Sequence, residues 1–503
     1  MTRSFWLDIF LSAFSGALLA AAFPFPDISL LAWFGLVPLL LVLQRRPFLC
    51  GYAAGITFFG ITLYWLNIVM VTYGRLHPFL SLIAYLILVA YLALFFGLST
   101  WLAGRIRQRL DYPYALTLPV IWVAFELLRS TFLTGFPWVL LGYSQHDDLR
   151  LIQSADLVGV YGLSGLLILG NAVVASMIQW LADRRKRFRQ GRYILLFILL
   201  LTATMLYGEF RLNSTAVTGQ SHRVSVIQGN IDQSIKWSPD LQSVTVEKYL
   251  RLSQEAIVGG SKLVVWPESA TPFYLQDRTK LQQRVLDFPG ATKVHLLTGS
   301  PAYERVDADR YRFYNSAFMI SPESQITGRS DKVHLVPFGE YVPFGEFMPF
   351  IDKLVHGIGD FSAGKIETLD FAGQEIGVLV CYEAIFPELA RSYCRAGSKL
   401  LVNITNDAWF GTSSAPYQHL AMARFRAVEN RRWLVRSANT GISAFIAPDG
   451  SVKSQSGLFR DATLTEPVQF LSGTTFYGRF GDVFPLLFTM ISMVWFWQSR
   501  LRR

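Results

Sequence analysis

Charged side chains are scarce in this 503-residue chain. Asp, Glu, Lys and Arg make up 16% of it, against 52% hydrophobic residues, whereas soluble domains carry about 25% charged residues. This composition excludes an ordinary soluble globule and predicts that much of the chain lies in lipid. The formal charge of +10 does not indicate nucleic-acid binding, because the basic residues cluster in short loops beside apolar runs.

Cysteine is also rare, with Cys50, Cys381 and Cys394 in the whole chain. An odd number without a paired CxxC motif argues against a disulfide framework and against a cysteine-based metal site. No period of 20–50 residues repeats, which excludes a solenoid. We predict no metal and no cofactor. We expect Cys394 to serve in packing and Cys50, within an apolar run, either to face lipid or to be packed.

Long apolar runs dominate residues 1–211, which we predict to be a membrane domain of seven transmembrane helices. An eighth run precedes a basic tail in residues 480–503. Each run approaches the roughly 20 residues that cross a hydrocarbon core. The eight runs cover residues 8–25, 28–44, 48–71, 79–103, 113–133, 151–182, 193–210 and 482–498.

The distribution of arginine predicts the orientation of these runs. Basic clusters follow runs two, four, six and eight, and the opposite loops carry few basic residues. Because positively charged loops remain in the cytoplasm, both termini should be cytoplasmic. The segment between runs seven and eight should then lie outside the inner membrane, in a periplasm if the cell has one. The clusters lie at 45–46, 105–109, 184–192 and 500–503.

Residues 220–470 have a different pattern, in which short β-like runs alternate with amphipathic helical segments. This interleaving predicts an α/β domain. A Pro-Asp-Gly sequence at 448–450 predicts a hairpin turn, and helices are predicted at 243–258 and 418–431. The predicted strands are 222–227, 262–266, 294–298, 315–320, 375–380, 399–404 and 443–447.

Reactive side chains stand where predicted strands end in this domain. Glu268 follows the strand at 262–266, and Cys381 ends the strand at 375–380, before a helix predicted from Phe386. Lys332 lies between them, in a charged patch before a Pro/Gly loop. A carboxylate can take the proton of a thiol, and an ammonium favours the thiolate and an oxyanion.

Each of these residues also has an ordinary interpretation. A buried cysteine usually acts as a small hydrophobe, and a glutamate or lysine at a strand end is usually a cap or a solvated charge. A histidine is the commoner base for a cysteine, so His334 and His419 remain alternatives to Glu268. The case for a catalytic group depends on the three residues occurring together.

Several motifs resemble the apolipoprotein N-acyltransferase family, a membrane-embedded branch of the nitrilase (carbon–nitrogen hydrolase) superfamily. The resemblance extends over essentially the whole chain. It implies an α-β-β-α sandwich for residues 220–470 and a Glu-Lys-Cys triad. The motifs are QGNI at 228–231, KW at 236–237, WPE at 266–268, HLVPFGEYVP at 334–343, CYE at 381–383, NDAWFG at 406–411 and NTG at 439–441.

The resemblance also implies the reaction. Cys381 would take an acyl chain from a phospholipid as a thioester and pass it to the α-amine of a diacylglyceryl-cysteine on an apolipoprotein, the last step of lipoprotein maturation. Glu268 would be the base and Lys332 the oxyanion partner. Supporting or substrate-binding positions would be Glu340, Tyr382, Glu383 and Trp237. Nothing in the sequence demands more than a monomer.

Two further functions compete with this one. A membrane-anchored amidase would use the same triad with water as the acceptor, but eight spans exceed what an anchor needs. A transporter with an accessory domain is disfavoured because no inverted repeat is evident. The apolar stretch 341–359, with its prolines and glycines, is read either as an arm dipping into the membrane interface or as a loop packed on the domain.

Overall fold

The computed structural model describes residues 5–182, 191–214, 219–233, 236–342 and 361–502. The chain divides into two compact units. Unit 1 comprises Met1–Asn67, Pro78–Ser214 and Phe480–Arg503, and unit 2 comprises Ile68–His77 and Thr215–Arg479. Most of the predicted arm falls in 343–360, outside the described residues.

Unit 1 is helical. Within the described residues, three helices are long and apolar enough to cross a membrane, or four if a pair bent by 55° counts as one span. The helices of unit 1 are α1 (Phe5–Ala20), α2 (Val37–Val42), α3 (Pro47–Thr62), α5 (Pro78–Leu110), α6 (Tyr114–Thr131), α7 (Leu149–Ile152), α8 (Ala155–Ala182), α9 (Gly191–Asn213) and α15 (Val483–Leu501). The short α4 (Leu66–Ile68) straddles the boundary between the units.

The predicted spans are thus supported in part. The fourth, sixth and seventh runs correspond to α5, α8 and α9, and the third corresponds to α3 continued by the bent segment Leu66–Tyr73. The first two runs form shorter apolar helical segments, Phe5–Ala20 and Ser29–Val42. These segments fall short of the roughly 20 residues of a straight span, so length and composition do not establish eight spans.

The charges inside the apolar runs have partners in unit 1. Asp156 accepts hydrogen bonds from the Tyr207 hydroxyl at 2.8 Å and forms an ion pair with Arg211 at 3.1 Å. Arg129 donates to the carbonyl oxygens of the loop that follows α6, and Glu126 accepts the Leu141 backbone N–H at 2.8 Å. These hydrogen bonds and ion pairs offset the free-energy cost of placing a charged side chain away from water.

Unit 2 contains two six-stranded sheets, with orders β12-β1-β2-β3-β4-β5 and β11-β10-β9-β8-β7-β6. Each has a parallel core of three strands, β1–β2–β3 and β7–β8–β9. The strands are β1 (Gln220–Gln228), β2 (Leu263–Val265), β3 (His295–Arg305), β4 (Tyr311–Ile320), β5 (Ile326–Asp331), β6 (Leu369–Phe371), β7 (Gln374–Val380), β8 (Leu400–Thr405), β9 (Leu434–Ala438), β10 (Ala444–Ile446), β11 (Val452–Gln455) and β12 (Ala462–Phe470).

The two sheets pack face to face around one apolar core. Alternation places Leu263 and Val265 of β2 in this core with Val378 and Val380 of β7, as the two-residue period of a strand requires. Val264 points the other way, into a second core. Helices cover the outer faces, which confirms the predicted α-β-β-α sandwich. They are α10 (Gln242–Val258), α11 (Lys280–Thr292), α12 (Pro387–Arg395) and α13 (Ala415–Asn430), with the short α14 (Phe476–Phe480) further along the chain.

One segment of unit 2 comes from the N-terminal part of the chain. Ile68–His77 includes a π-helical turn at Val69–Tyr73. The Tyr73 ring meets the Trp409 ring edge to face, with 5.3 Å between the centroids. The loop that carries Trp409 therefore packs against residues more than 300 positions earlier in the sequence.

Candidate active site

Glu268 lies in the loop that follows β2, and its geometry depends on a close backbone approach. A Cβ atom on Gly299 of β3 would come within 2.6 Å of the Glu268 Cα and the Pro267 oxygen, so only glycine fits there. The Glu268 side chain is buried. Its two carboxylate oxygens accept hydrogen bonds from Asn315 Nδ2 at 2.7 Å and from the Asn406 backbone N–H at 2.8 Å.

Lys332 follows β5 and reaches the same edge of the sheet. The strands β3, β4 and β5 pair antiparallel in succession, so β5 runs in the direction of β2 and β3, and its end lies with theirs. The ammonium is almost fully buried. It lies 2.9 Å from the carboxylate of Glu340, which in turn accepts the Val336 backbone N–H at 2.8 Å.

Asn315 links the two glutamates, a role that the sequence analysis did not assign. Its Nδ2 donates to Glu268 at 2.7 Å and to Glu340 at 3.0 Å, and its backbone oxygen accepts the Lys332 N–H at 2.8 Å. Two carboxylate neighbours fix the direction of the amide. Among the described residues, the buried Oδ1 has no hydrogen-bond partner, so an acceptor is available beside the carboxylates.

Cys381 occupies a strained position directly after β7. Its φ is +54°, a left-handed conformation that costs about 1–2 kcal/mol for a residue other than glycine. Its backbone oxygen accepts hydrogen bonds from His419 Nε2 at 3.1 Å and from Asn403 Nδ2 at 3.4 Å. These donors hold the carbonyl in this conformation and thereby fix the direction of the thiol.

The helix predicted from Phe386 begins at Pro387, and a 3₁₀ turn, Cys381–Ile385, separates it from the thiol. The effect of a helix dipole is confined to the first turn of the helix. The sequence-based suggestion that this helix favours the thiolate is therefore weakened.

The three predicted catalytic residues act on one another electrostatically. Burial first, and then the charge of Glu268, raise the pKa of the Cys381 thiol, while Lys332 acts to lower it. Burial alone would lower the pKa of Lys332, but Glu340, Glu268 and Cys381 raise it above its ordinary value. The ionisation of the Cys381 thiol and that of the Lys332 ammonium are therefore linked.

Glu383 bridges the turn at Cys381 and the segment that follows Lys332. It is fully buried, and its oxygens accept the backbone N–H groups of Val333 at 2.6 Å, His334 at 2.9 Å and Val380 at 2.7 Å. Burial raises its pKa to about 7, against the lowering effect of these bonds. Because all three donors are backbone groups, Glu383 holds together the two chain segments that carry Lys332 and Cys381.

Tyr382 lies in the same turn, is half-buried and packs against the core between the sheets. Its ring packs edge to face on Phe386 with 5.1 Å between centroids, and the His334 ring lies tilted over Phe386 with 3.9 Å between centroids. The His334 ring is thus part of an aromatic cluster.

A buried polar network lies behind Cys381 and involves the other candidate histidine. His419 Nε2 faces the Cys381 carbonyl, and its Nδ1 lies 3.2 Å from Asp407 and 3.1 Å from Arg436. Arg436 also bonds Asp407 at 2.6 Å and contacts Asn403. Because Nε2 is directed at the backbone oxygen, His419 fits a supporting role for the nucleophile's backbone.

Comparisons with known proteins match both parts of the chain. The model of the apolipoprotein N-acyltransferase N-terminal domain matches residues 15–173, and that of the carbon-nitrogen hydrolases matches residues 223–474. The apolipoprotein N-acyltransferase of Geobacter metallireducens is 47% identical over 95% of this chain and 92% of its own. The chain belongs to the apolipoprotein N-acyltransferase family.

Further relatives agree with this membership. The apolipoprotein N-acyltransferase of Nitrosomonas europaea is 35% identical over 94% of this chain and 92% of its own. Among solved structures, the NitN amidase from Neterenkonia sp. AN1 covers 48% of this chain and 91% of its own, at 17% identity and a TM-score of 0.37. The two family models and the two curated relatives, at 47% and 35% identity, make this chain a membrane acyltransferase with a carbon–nitrogen hydrolase domain at residues 223–474.

In this member of the apolipoprotein N-acyltransferase family, the NTG motif anchors the QGNI loop. Asn439 bonds the backbone of Asn230 and Ile231. A Cβ on Gly441 would come within 2.4 Å of the Asp407 carboxylate, which explains the glycine. The anchored loop leads to Trp237, whose side chain is 39% exposed.

The same loop carries a buried lysine that the sequence analysis left without a role. Lys236 Nζ donates to the backbone oxygen of Glu268 at 3.1 Å. The sequence analysis recognised Lys236 and Trp237 together as a motif of the family. A lysine in a polar turn, however, gives no indication in the sequence that its side chain is buried.

Proposed function

We propose that this acyltransferase moves an acyl chain from a phospholipid to the α-amine of the diacylglyceryl-cysteine of an apolipoprotein, through a thioester on Cys381. The family supplies the class of reaction. The observation that carries the proposal is geometric. Asn315 joins Glu268 to the Glu340 that holds Lys332, and Glu383 ties the backbone next to Lys332 to the backbone next to Cys381. Splitting the transfer at a thioester replaces one difficult step by two easier ones.

In the first half-reaction, Glu268 takes the proton of the Cys381 thiol as its sulfur attacks the ester carbonyl carbon of the phospholipid. The C=O π electrons move to the oxygen, and the Lys332 ammonium stabilises the resulting oxyanion. When the tetrahedral intermediate collapses, the alkoxide leaves with the proton from Glu268. The products are a lysophospholipid and the Cys381 thioester.

In the second half-reaction, the α-amine of the lipoprotein attacks the thioester carbonyl. Glu268 takes a proton from the nitrogen, and the thiolate leaves and is reprotonated from Glu268, which restores the resting enzyme. Asn315 Oδ1, which has no hydrogen-bond partner among the described residues, is the acceptor that we assign to an N–H of the incoming amine. The amide bond of the product forms at the expense of the thioester bond.

The contacts of each supporting residue indicate the role that we assign to it. Glu340 holds Lys332 and shares the Asn315 amide with Glu268, so we assign it the orientation of the lysine. Glu383 positions the nucleophile turn. The partly exposed Trp237 is the residue we assign to substrate contact, and Tyr382 supports the aromatic cluster beside the nucleophile.

The membrane arrangement is part of the proposal. We propose spans in residues 1–211 and 480–503 that number eight in all, with both termini in the cytoplasm and the catalytic domain, residues 220–470, on the periplasmic side of the inner membrane. The alternating basic loops support this orientation. Donor and acceptor are both lipid-anchored, so encounters would occur along one surface. We propose a monomer that uses neither metal nor cofactor.

Intact-mass spectrometry of the purified protein after exposure to phospholipid tests the mechanism. We expect one acyl adduct that hydroxylamine removes, absent in Cys381→Ala and present in the matched Cys394→Ala. A wild-type protein that turns over without ever carrying the adduct would rule out the thioester. Release of free fatty acid as the sole product, with a diacylglyceryl peptide present, would favour the hydrolase alternative.

A further inference from the structure

A second lysine lies beside the proposed base and has no part in the reaction described above. Lys236 is fully buried, and its Nζ donates to the Glu268 backbone oxygen at 3.1 Å. Removing an ammonium from water is expensive unless an opposite charge compensates it. For Lys236 the compensating charge is that of Glu268.

The charges of the buried cluster explain why such a lysine is useful. Glu268 and Glu340 share one amide nitrogen of Asn315, and Lys332 neutralises only one of the two carboxylates. A second carboxylate in a shared site disfavours ionisation of the first. A further positive charge beside Glu268 would offset this repulsion between the two carboxylates.

The other charged groups of the site have partners of their own. Asp407 is paired with Arg436 at 2.6 Å, His419 lies between them, and the carboxylate of Glu383 accepts backbone N–H groups. Within the described residues, Lys236 is thus a second cation beside Glu268, in addition to Lys332.

We propose that Lys236 is a positioning residue that keeps Glu268 ionised and fixes its loop, so that the base is ready at neutral pH. This inference rests on the proposed role of Glu268. The hydrogen bond to the backbone oxygen holds the loop, and the ammonium offsets the field of Glu340. Burial lowers the pKa of Lys236 to about 8, and Glu268 opposes that shift, so the ammonium persists at neutral pH.

Three substitutions in the full-length protein separate the charge from the hydrogen bond. Lys236→Arg keeps both, Lys236→Gln keeps a donor without charge, and Lys236→Met removes both. The readout is the pH profile of Cys381 reactivity, measured as the rate of acyl-adduct formation from phospholipid and, without lipid, as the rate of alkylation by iodoacetamide. Thermal unfolding of each variant reports its folded fraction.

We expect the acidic limb of both profiles to shift upward by about one pH unit or more in Lys236→Gln and Lys236→Met, with little shift in Lys236→Arg. At a pH on this limb, that shift means about a tenfold slower reaction. An unchanged midpoint in Lys236→Gln, whatever the amplitude, would overturn the proposal in favour of a purely structural lysine. If Lys236→Met does not fold, the comparison of Gln with Arg decides.

The proposed function and this inference fail in different ways. If Glu268 were not the base, Glu268→Gln would retain the acidic limb of the wild-type profile. If only the role of Lys236 were wrong, Glu268→Gln would abolish that limb while the Lys236 variants kept the wild-type midpoint.

Discussion

Replacing Glu383 by glutamine should separate positioning from chemistry at the nucleophile turn. The carboxylate of Glu383 accepts three backbone N–H groups, two from the segment after Lys332 and one from Val380, at 2.6–2.9 Å. Glutamine has one acceptor oxygen, so its NH₂ group must face at least one of these N–H donors. The variant keeps the size of the side chain and loses the bridge between the two segments.

The magnitude follows from the bonds that are lost. A hydrogen bond to a charged acceptor contributes about 1.5–3 kcal/mol, and leaving a buried donor unpaired costs about 1–3 kcal/mol. We therefore expect Glu383→Gln to destabilise the catalytic unit by about 3 kcal/mol. Lys332 and Cys381 each lie one residue from a tethered amide, and a displacement of about 1 Å can slow a reaction by about 10²-fold.

The assay compares acyl-adduct formation and acyl transfer at a temperature where the variant remains folded. The matched control is Glu375→Gln on the same strand, β7, whose carboxylate lies outside this network. We expect the control to retain wild-type rates. Wild-type transfer in folded Glu383→Gln would show that the bridge does not position the nucleophile, and the interpretation would have to be abandoned.

Three further predictions follow from the site. Asn315→Leu should slow adduct formation by about 10²-fold, because each hydrogen bond from the amide to a carboxylate contributes about 1.5–3 kcal/mol. Asn315→Asp adds a negative charge beside the two carboxylates and should be slower still. The mass-spectrometric assay of the acyl adduct measures both variants. His419→Gln, which keeps a donor for the Cys381 oxygen, should retain more transfer than His419→Leu, and equal loss in both would argue that the ring itself reacts. Burial would raise the pKa of Asp407, but its arginine and histidine partners hold it below the ordinary value, so its stabilising contribution is present above about pH 4 and lost as the pH falls further. Thermal unfolding between pH 2 and 7 should show a shallower decline below pH 4 in Asp407→Asn than in the wild type, and parallel curves would contradict this.

The sequence was informative where local pattern and position coincide. Short apolar runs predicted β1, β2, β4, β7, β8 and β10 within four residues and the start of β3, which continues seven residues beyond its predicted end to Arg305. The strand ends located Glu268 and Cys381. The bridging role of Asn315 could not be predicted, since an asparagine inside a strand carries no sign of which loops meet there. The burial of Lys236 could not be predicted either, because burial of a charged side chain depends on tertiary contacts.

In unit 1 the sequence predicted where helices occur but not where their backbone is irregular. Apolar runs predicted where helices occur, but run length did not predict their breaks, such as the bend of 55° between Pro47–Thr62 and Leu66–Tyr73. Gly159 interrupts α8 with a φ of +63°. Hydropathy averages over such positions, so it reports apolar length and not the geometry of the backbone.

The contact between Tyr73 and Trp409 has a consequence for how the catalytic half can be isolated or exchanged. Because Ile68–His77 is part of unit 2, a protein truncated to residues 220–470 would lack this segment of the unit. The face of the Trp409 ring that contacts Tyr73 would then be exposed. Grafting a soluble relative's domain onto the helices of unit 1 would meet the same mismatch. Because unit 2 takes residues from both halves of the sequence, the two halves should be expressed and redesigned together.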